Sequence, residues 1–379
     1  MSARPPRIFY IVVPLLSVLV ALAAAELLLA TFAPTPFAAE RTMAFMPDPH
    51  TGYRLQPGGR GSFVDGIPGV ANSDGHRDDE LPARRADSLR ILALGDSFTV
   101  GTNVRMEDTW PANLERRLRS EQPEPVDVIN AGVGGWAPYQ YAQYYEHHGR
   151  TFEPDVVLVG LFVGNDTYNK RHRPEQLRTA VLGRRVRRAS AESPFVVPRV
   201  WLIEHSHLAR RFLTPSARME RRILREHCAD FDEFLLSYEE KRMKNHRKRD
   251  AERERNLENT LHQLARIQEM ARADGAALLV VLIPDENQIN PQLQYLLWGD
   301  EIPSDYDMDM PQVLLAEKLR ETGVHVLDPL ARFRDHPGCL YLNDTHLNAA
   351  GLDLLAGAIQ DEMRGAWPPP RRHAPADSR

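Results

Sequence analysis

The chain has 379 residues, 42% hydrophobic and 26% charged, with a formal net charge of −5. This is ordinary globular usage, which excludes extended disorder and a polytopic membrane protein, and the charge gives no reason to expect nucleic acid. Two cysteines, Cys228 and Cys339, exclude a disulfide-rich scaffold and a four-cysteine zinc site.

Residues 8–29 form an apolar run in which Glu26 is the only charge. About 20 residues span a hydrocarbon core of ~30 Å, whereas the apolar part of a signal peptide runs ~7–15. Arg4 and Arg7 precede the run, so the positive-inside rule keeps the N-terminus cytoplasmic. The expectation is a single-pass anchor over residues 1–33 of an inner membrane, with the rest extracytoplasmic, in the periplasm of a Gram-negative cell. The rival is a signal peptide cleaved near Thr31 and Ala33.

Residues 34–88 are rich in Pro, Gly, Asp and Arg and read as a linker and irregular lead-in. Short apolar runs at 90–94, 126–129, 155–163, 277–283 and 325–327 predict strands. Helical spacing appears at 110–118, 256–272, 312–322 and 348–363. Strands that are apolar on both faces and alternate with helices predict a parallel sheet covered on both sides. The domain is expected over 89–365, and the Pro- and Arg-rich residues 366–379 read as a disordered tail.

Between the third and fourth strands lies an insertion far longer than an ordinary connection of ~2–6 residues. Residues 168–259 hold 23 Lys and Arg against 14 Asp and Glu. That net of +9 leaves −14 on the remainder. Segments 218–236 and 238–257 look helical. The insertion is expected to form a cap over or beside the site, facing an anionic lipid or polysaccharide.

Four short segments at strand ends carry the chemistry. Gly95-Asp96-Ser97 follows the first strand, where a turn into a helix exposes a serine at the carboxyl edge of the sheet. Serine is a weak nucleophile until a base takes its proton. Asn130-Ala131-Gly132-Val133-Gly134-Gly135 follows the second strand, and its glycines let backbone N–H groups approach a ligand. Gly164-Asn165-Asp166 follows the third, and an asparagine amide can complete an oxyanion hole. Asp344-Thr345-His346 precedes the last helix, where an imidazole can relay a proton and a carboxylate can fix its tautomer. Each segment alone is equally a turn or a cap. Two histidine groups, His147-His148 and His205-Ser206-His207, read as surface residues. No metal-ligand spacing and no phosphate-loop motif is present.

In the order Ser, Gly, Asn, Asp-x-His, the four segments together resemble the SGNH hydrolases, also called the GDSL family. The resemblance spans residues 91–362, and residues 72–77 (NSDGHR) resemble a lead-in of membrane-anchored bacterial members. It implies a flavodoxin-like three-layer α/β/α sandwich with a parallel sheet. By position it makes Ser97 the nucleophile, His346 the base and Asp344 its orienting carboxylate. The oxyanion hole would be the Ser97 N–H, the Gly135 N–H and the Asn165 side chain. Gly135 is chosen because it lies five residues after Asn130, as the family glycine does after its asparagine. Many members place the aspartate three residues before the histidine. Here that position is Asn343, and the shorter spacing resembles anchored and polysaccharide-acylating relatives.

The resemblance implies no cofactor and no metal. It implies an ester hydrolase working through an acyl-serine on an O-acylated envelope glycan or lipid. The alternatives are an O-acyltransferase modifying an envelope polysaccharide, and an inactive assembly or binding protein.

Overall fold

The computed structural model describes residues 8–33, 45–64, 67–121, 123–167, 206–209, 231, 236, 239–240, 242–248 and 251–365. Most of the insertion lies outside the described residues, including nearly all of the helix expected at 218–236, and the helix expected over 238–257 is broken by a tight turn at Met243–His246 and extended backbone at Arg247. Cys228 and the tail at 366–379 also lie outside the described residues.

A long helix, α1 (Phe9–Phe32), carries the N-terminal apolar run. Within it Val12–Phe32 is long and apolar enough to cross a membrane, with none of its length buried against the protein. Two hairpins follow, β1 (Phe45–Asp48) with β2 (Gly52–Leu55) and β3 (Arg60–Val64) with β4 (Ile67–Val70). The described part of the region read as linker and irregular lead-in, from residue 45 on, therefore holds regular strands. Its strands are too short and too Gly- and Pro-rich to show alternation in the sequence.

The body is a five-stranded parallel sheet. In chain order its elements are β5 (Leu89–Gly95), α2 (Ser97–Val100), α3 (Trp110–Arg119), β6 (Val126–Asn130), α4 (Pro138–His147) and β7 (Val156–Phe162). From the end of the insertion onward come α5 (Ala251–Ala273), β8 (Ala277–Ile283), α6 (Glu286–Ile289), α7 (Pro291–Trp298), α8 (Met310–Glu321), β9 (His325–Leu327), α9 (Leu330–Arg334) and α10 (Ala349–Arg364). The spatial order β6-β5-β7-β8-β9 is the flavodoxin-like arrangement.

Every residue of β5, β6 and β7 is buried, because helices cover both faces. Leu92, Val157 and Val280 pack with Tyr141, Ile267 and Leu315 on one side. Ile91, Leu158 and Val281 pack with Trp110, Leu114 and Leu355 on the other. The helix α4 had no expected counterpart, since tyrosines carry its buried face. Each phenol finds a partner: Tyr141 donates to Asp166, Tyr145 to Asp274, and Tyr144 pairs with His76. Burial lowers His76 to about 3, so it is neutral and structural.

The sheet order reverses between β5 and β7, and in open parallel sheets ligands bind at such a point, at the carboxyl ends of the strands. The lead-in is tied to this point. Buried Arg77 donates to the carbonyls of Val100, Gly101 and Val104, at the end of α2 and in the loop beyond. A guanidinium satisfies orphan carbonyls there and favours the negative pole of the helix.

Candidate active site

Ser97 is the first residue of α2, directly after β5. Asp96 caps this turn by accepting from Phe98 N at 2.9 Å. The turn is tight: a β-carbon on Gly95, or on its cross-strand partner Gly160, would collide with Thr99. The two glycines thus let α2 press on the sheet and raise Ser97 at its edge.

His346 approaches from the loop before α10, with Nε2 2.8 Å from Ser97 Oγ. On its other side Nδ1 lies 3.0 Å from Asp344 Oδ2, close enough for an ion pair though not aligned as a hydrogen bond. Such bonds are often poorly aligned before substrate binds. The Phe98 ring backs the imidazole, with centroids 4.8 Å apart. The residue between the pair, Thr345, has φ +67, a left-handed conformation rarely adopted by β-branched residues. That twist lets two side chains only two positions apart meet.

Asn165 enters from the end of β7. Its Nδ2 donates to Asp96 Oδ2 at 3.3 Å, and Ser97 Oγ lies 3.4 Å from the same oxygen. A side-chain amide has two N–H groups, and this bond uses one. The glycine turn runs beside these residues. A β-carbon on Gly134 would lie 3.9 Å from Ser97 Cβ, and Gly135 has φ +84, which favours glycine. Ser97, Asn165, His346 and Asp344 therefore converge at the sheet edge, and Gly135 follows the glycine that lies beside Ser97.

Two further residues carried no motif. Asn103, buried in the loop after α2, donates to Asp344 Oδ2 at 2.6 Å. Tyr53, on β2, donates its hydroxyl to Gly134 O at 2.8 Å. The peptide is trans and planar, so the Gly135 N–H points away from Tyr53. Neither contact is local, so spacing could not reveal it. Among the described residues no group of His, Cys, Asp and Glu is arranged to hold a metal ion.

The model of the GDSL-like Lipase/Acylhydrolase family matches residues 93–253. The match begins in β5 and includes Ser97, Gly135 and Asn165. Over these residues the chain is similar to GDSL-like lipases and acylhydrolases. No curated protein matches it. Among solved structures it is similar to TesA, with 13% identity, 73% of this chain and 98% of that one covered, and a TM-score of 0.39. A mutant of Axe2, an acetyl-xylooligosaccharide esterase from Geobacillus, shows 16% identity, 75% and 98% coverage, and a TM-score of 0.40. A putative G-D-S-L family lipolytic protein from Desulfitobacterium hafniense shows 13% identity, 72% and 98% coverage, and a TM-score of 0.36.

The structure revises several expectations. His148 is not a plain surface residue: it is half-buried and 2.9 Å from Asp48. His147 is exposed, as expected, and stacks on His50 with ring centroids 3.5 Å apart. Of the basic residues 241–249 in the insertion, expected to face an anionic partner, not all are free to do so. Arg242 is 6% exposed and paired with Glu239 and Asp285. Arg247 donates to Tyr306 and Lys248 to Ser304 O. Lys244 is exposed, and Lys241 and Arg249 lie outside the described residues.

Proposed function

We propose that the chain is a serine ester hydrolase acting through an acyl-serine at Ser97, on an O-acylated glycan or lipid of the cell envelope. The observation that carries this reading is the 2.8 Å approach of His346 Nε2 to Ser97 Oγ, with Asp344 on the opposite nitrogen. Ser97 Oγ attacks the ester carbonyl carbon as its proton passes to His346 Nε2. The carbonyl oxygen becomes an oxyanion, held by the N–H groups of Ser97 and Gly135 and by the Asn165 amide. The intermediate collapses, the C–O bond of the alcohol breaks, and the imidazolium returns its proton to the leaving oxygen. Water then attacks the acyl-serine carbonyl and gives a proton to His346; the acyl C–Oγ bond breaks, the imidazolium returns that proton to Ser97 Oγ, and the acid is released. Asp344 favours the tautomer with Nδ1 protonated and stabilises the imidazolium.

The Asp-x-His spacing favours a second reading, transfer of the acyl group to a sugar hydroxyl. Both readings share the acyl-serine, and the acceptor separates them. Mass spectrometry of the acylated protein, chased with water or with oligosaccharide, is the test. Loss of the acyl group to water supports the hydrolase, and its appearance on the sugar supports the transferase. A protein never acylated on Ser97 would be an assembly or binding protein.

We place the catalytic unit outside the cytoplasm, held by α1 as an anchor. Three observations support this. Arg4 and Arg7 precede the apolar run. Glu26, its one charge, accepts hydrogen bonds from Ser206 Oγ, His207 N and Leu208 N at 2.6–2.9 Å, a contact that a cleaved peptide would forfeit. Cys339 is disulfide-bonded, which suits an oxidising compartment. The domain limits 89–365 stand as part of this proposal, with the lead-in hairpins packed onto the same unit. An anionic partner at the insertion is retained for its charge alone, with Arg242 removed from the contact surface. Vesicles of anionic lipid against neutral ones, at two salt concentrations, test it, because exposed charges are screened within ~8–10 Å at physiological salt.

A further inference from the structure

The insertion returns to the body through the turn Met243–His246, just before α5. Two of its residues reach the two loops that flank Ser97. Arg242 Nη1 donates to Thr345 Oγ1 and to Glu239 Oε1, and Nη2 donates to Asp285. The same guanidinium sits 4.8 Å over the Phe162 ring. It also lies so close over Gly164 that a β-carbon there would strike Nη2. Three positions on, Asn245 Nδ2 donates to Gly164 O at 2.8 Å, and both residues are buried.

Thr345 separates Asp344 from His346, and Gly164 precedes Asn165. Arg242 and Asn245 therefore grip the base loop and the oxyanion loop at adjoining residues. The grip on Thr345 matters most, because that residue holds a left-handed φ of +67. Such a conformation costs of order 1–3 kcal/mol and persists only where surroundings impose it. The Thr345 hydroxyl is the side-chain handle by which Arg242 imposes it. Arginine suits this role, since its planar fork keeps several donors at fixed angles while its charge is balanced by buried carboxylates.

We propose that Arg242 and Asn245 are positioning residues of the active site, so that the end of the insertion acts as an internal brace aligning His346 and Asn165. The inference rests on the reading of Ser97, His346 and Asn165 given above. It makes part of the insertion a component of the catalytic centre.

The test uses full-length protein in detergent and a small neutral nitrophenyl ester. Thr345→Val removes the hydroxyl but keeps both ion pairs of Arg242 and the β-branched shape, so the fold is retained. A misplacement of 1 Å can cost about 10²-fold in rate. Thr345→Val should lower kcat by about 10–10²-fold with KM nearly unchanged. The acid limb of kcat/KM should move to lower pH, because a loosened Asp344 stabilises the imidazolium less. Thr345→Ser should restore most of the activity, since it restores the acceptor. Asn245→Ala should lower kcat without moving the acid limb, because it acts on the oxyanion side. Wild-type kcat and pH profile in both Thr345→Val and Asn245→Ala would overturn the brace. Ser97→Ala, run in parallel, separates the two ideas: if it stays active, the reading of the site itself fails.

Discussion

His346 Nε2 lies 2.8 Å from Ser97 Oγ although 249 positions separate them along the chain. Both residues sit at points where the chain leaves regular structure: the turn from β5 into α2, and the loop entering α10. Ser97→Ala should lower turnover of an activated ester by several orders of magnitude, as removal of a triad serine does elsewhere. Near-wild-type turnover in steady-state assays would remove Ser97 as nucleophile.

Asn165 shares the Asp96 Oδ2 oxygen with Ser97, which sets its amide beside the serine. Asn165→Ala should lower kcat by about 10²–10³-fold, the usual cost of one oxyanion donor. A rise in KM with kcat intact would instead assign Asn165 to ground-state binding.

Asn103 holds Asp344 at 2.6 Å from a loop that carries no motif. Asn103→Ala frees one side of that carboxylate, so His346 loses part of its alignment. Turnover should fall by about 10-fold or more, within the range for small displacements at an active site. The melting temperature, followed by circular dichroism, should change little. A large loss of stability with turnover per folded molecule unchanged would make Asn103 purely structural.

Asp78 belongs to the lead-in and accepts from Asn130 N at 3.0 Å, at the start of the glycine turn. Burial, reinforced by repulsion from Glu115 and Asp79, raises its carboxyl from 3.8 to about 7. A raised folded-state pKa means that the folded form holds the proton more tightly. Its contribution to stability is therefore complete below about pH 4 and is lost as pH rises through about 7. Asp78→Asn keeps an acceptor for Asn130 N–H but does not titrate. Thermal melts between pH 5 and 8 should show a smaller fall for this variant than for the wild type. Equal slopes would mean that Asp78 is ionised throughout.

Retention of α1 makes a prediction about mass. The mature protein should keep residues 1–33 and remain with membranes after carbonate washing. Glu26→Ala should loosen the insertion near residues 206–208, read as faster amide exchange there, because it removes three hydrogen bonds. A soluble, shortened product would establish a cleaved signal.

The order of strands and helices in the body was legible because helix and strand periods differ and buried parallel strands are apolar on both faces. The edges of β8 at Ala277 and Ile283 coincide with the expected ones, since Gly275 and Pro284 punctuate them. Helix α4 escaped notice because tyrosine reads as half-polar until its hydroxyl is known to be satisfied. The hairpins of the lead-in escaped because each strand is four or five residues long, too short for alternation to register. In the site, Ser97, Gly135, Asn165, Asp344 and His346 could be named because each sits in a short motif beside a strand or helix end. Their supports could not. Asn103, Tyr53, Arg242 and Asn245 act across 81 to 241 positions, and no local pattern encodes such a contact. The same limit explains Arg242. In sequence it is one cation in a basic run, and its role depends on Glu239, Asp285 and Thr345, two of them brought to it only by the fold. Local chemistry and periodicity, which the sequence carries residue by residue, determined the sheet, its helices and the reacting groups. The alignment of those groups was decided by buried long-range hydrogen bonds, which exist only once the chain has packed.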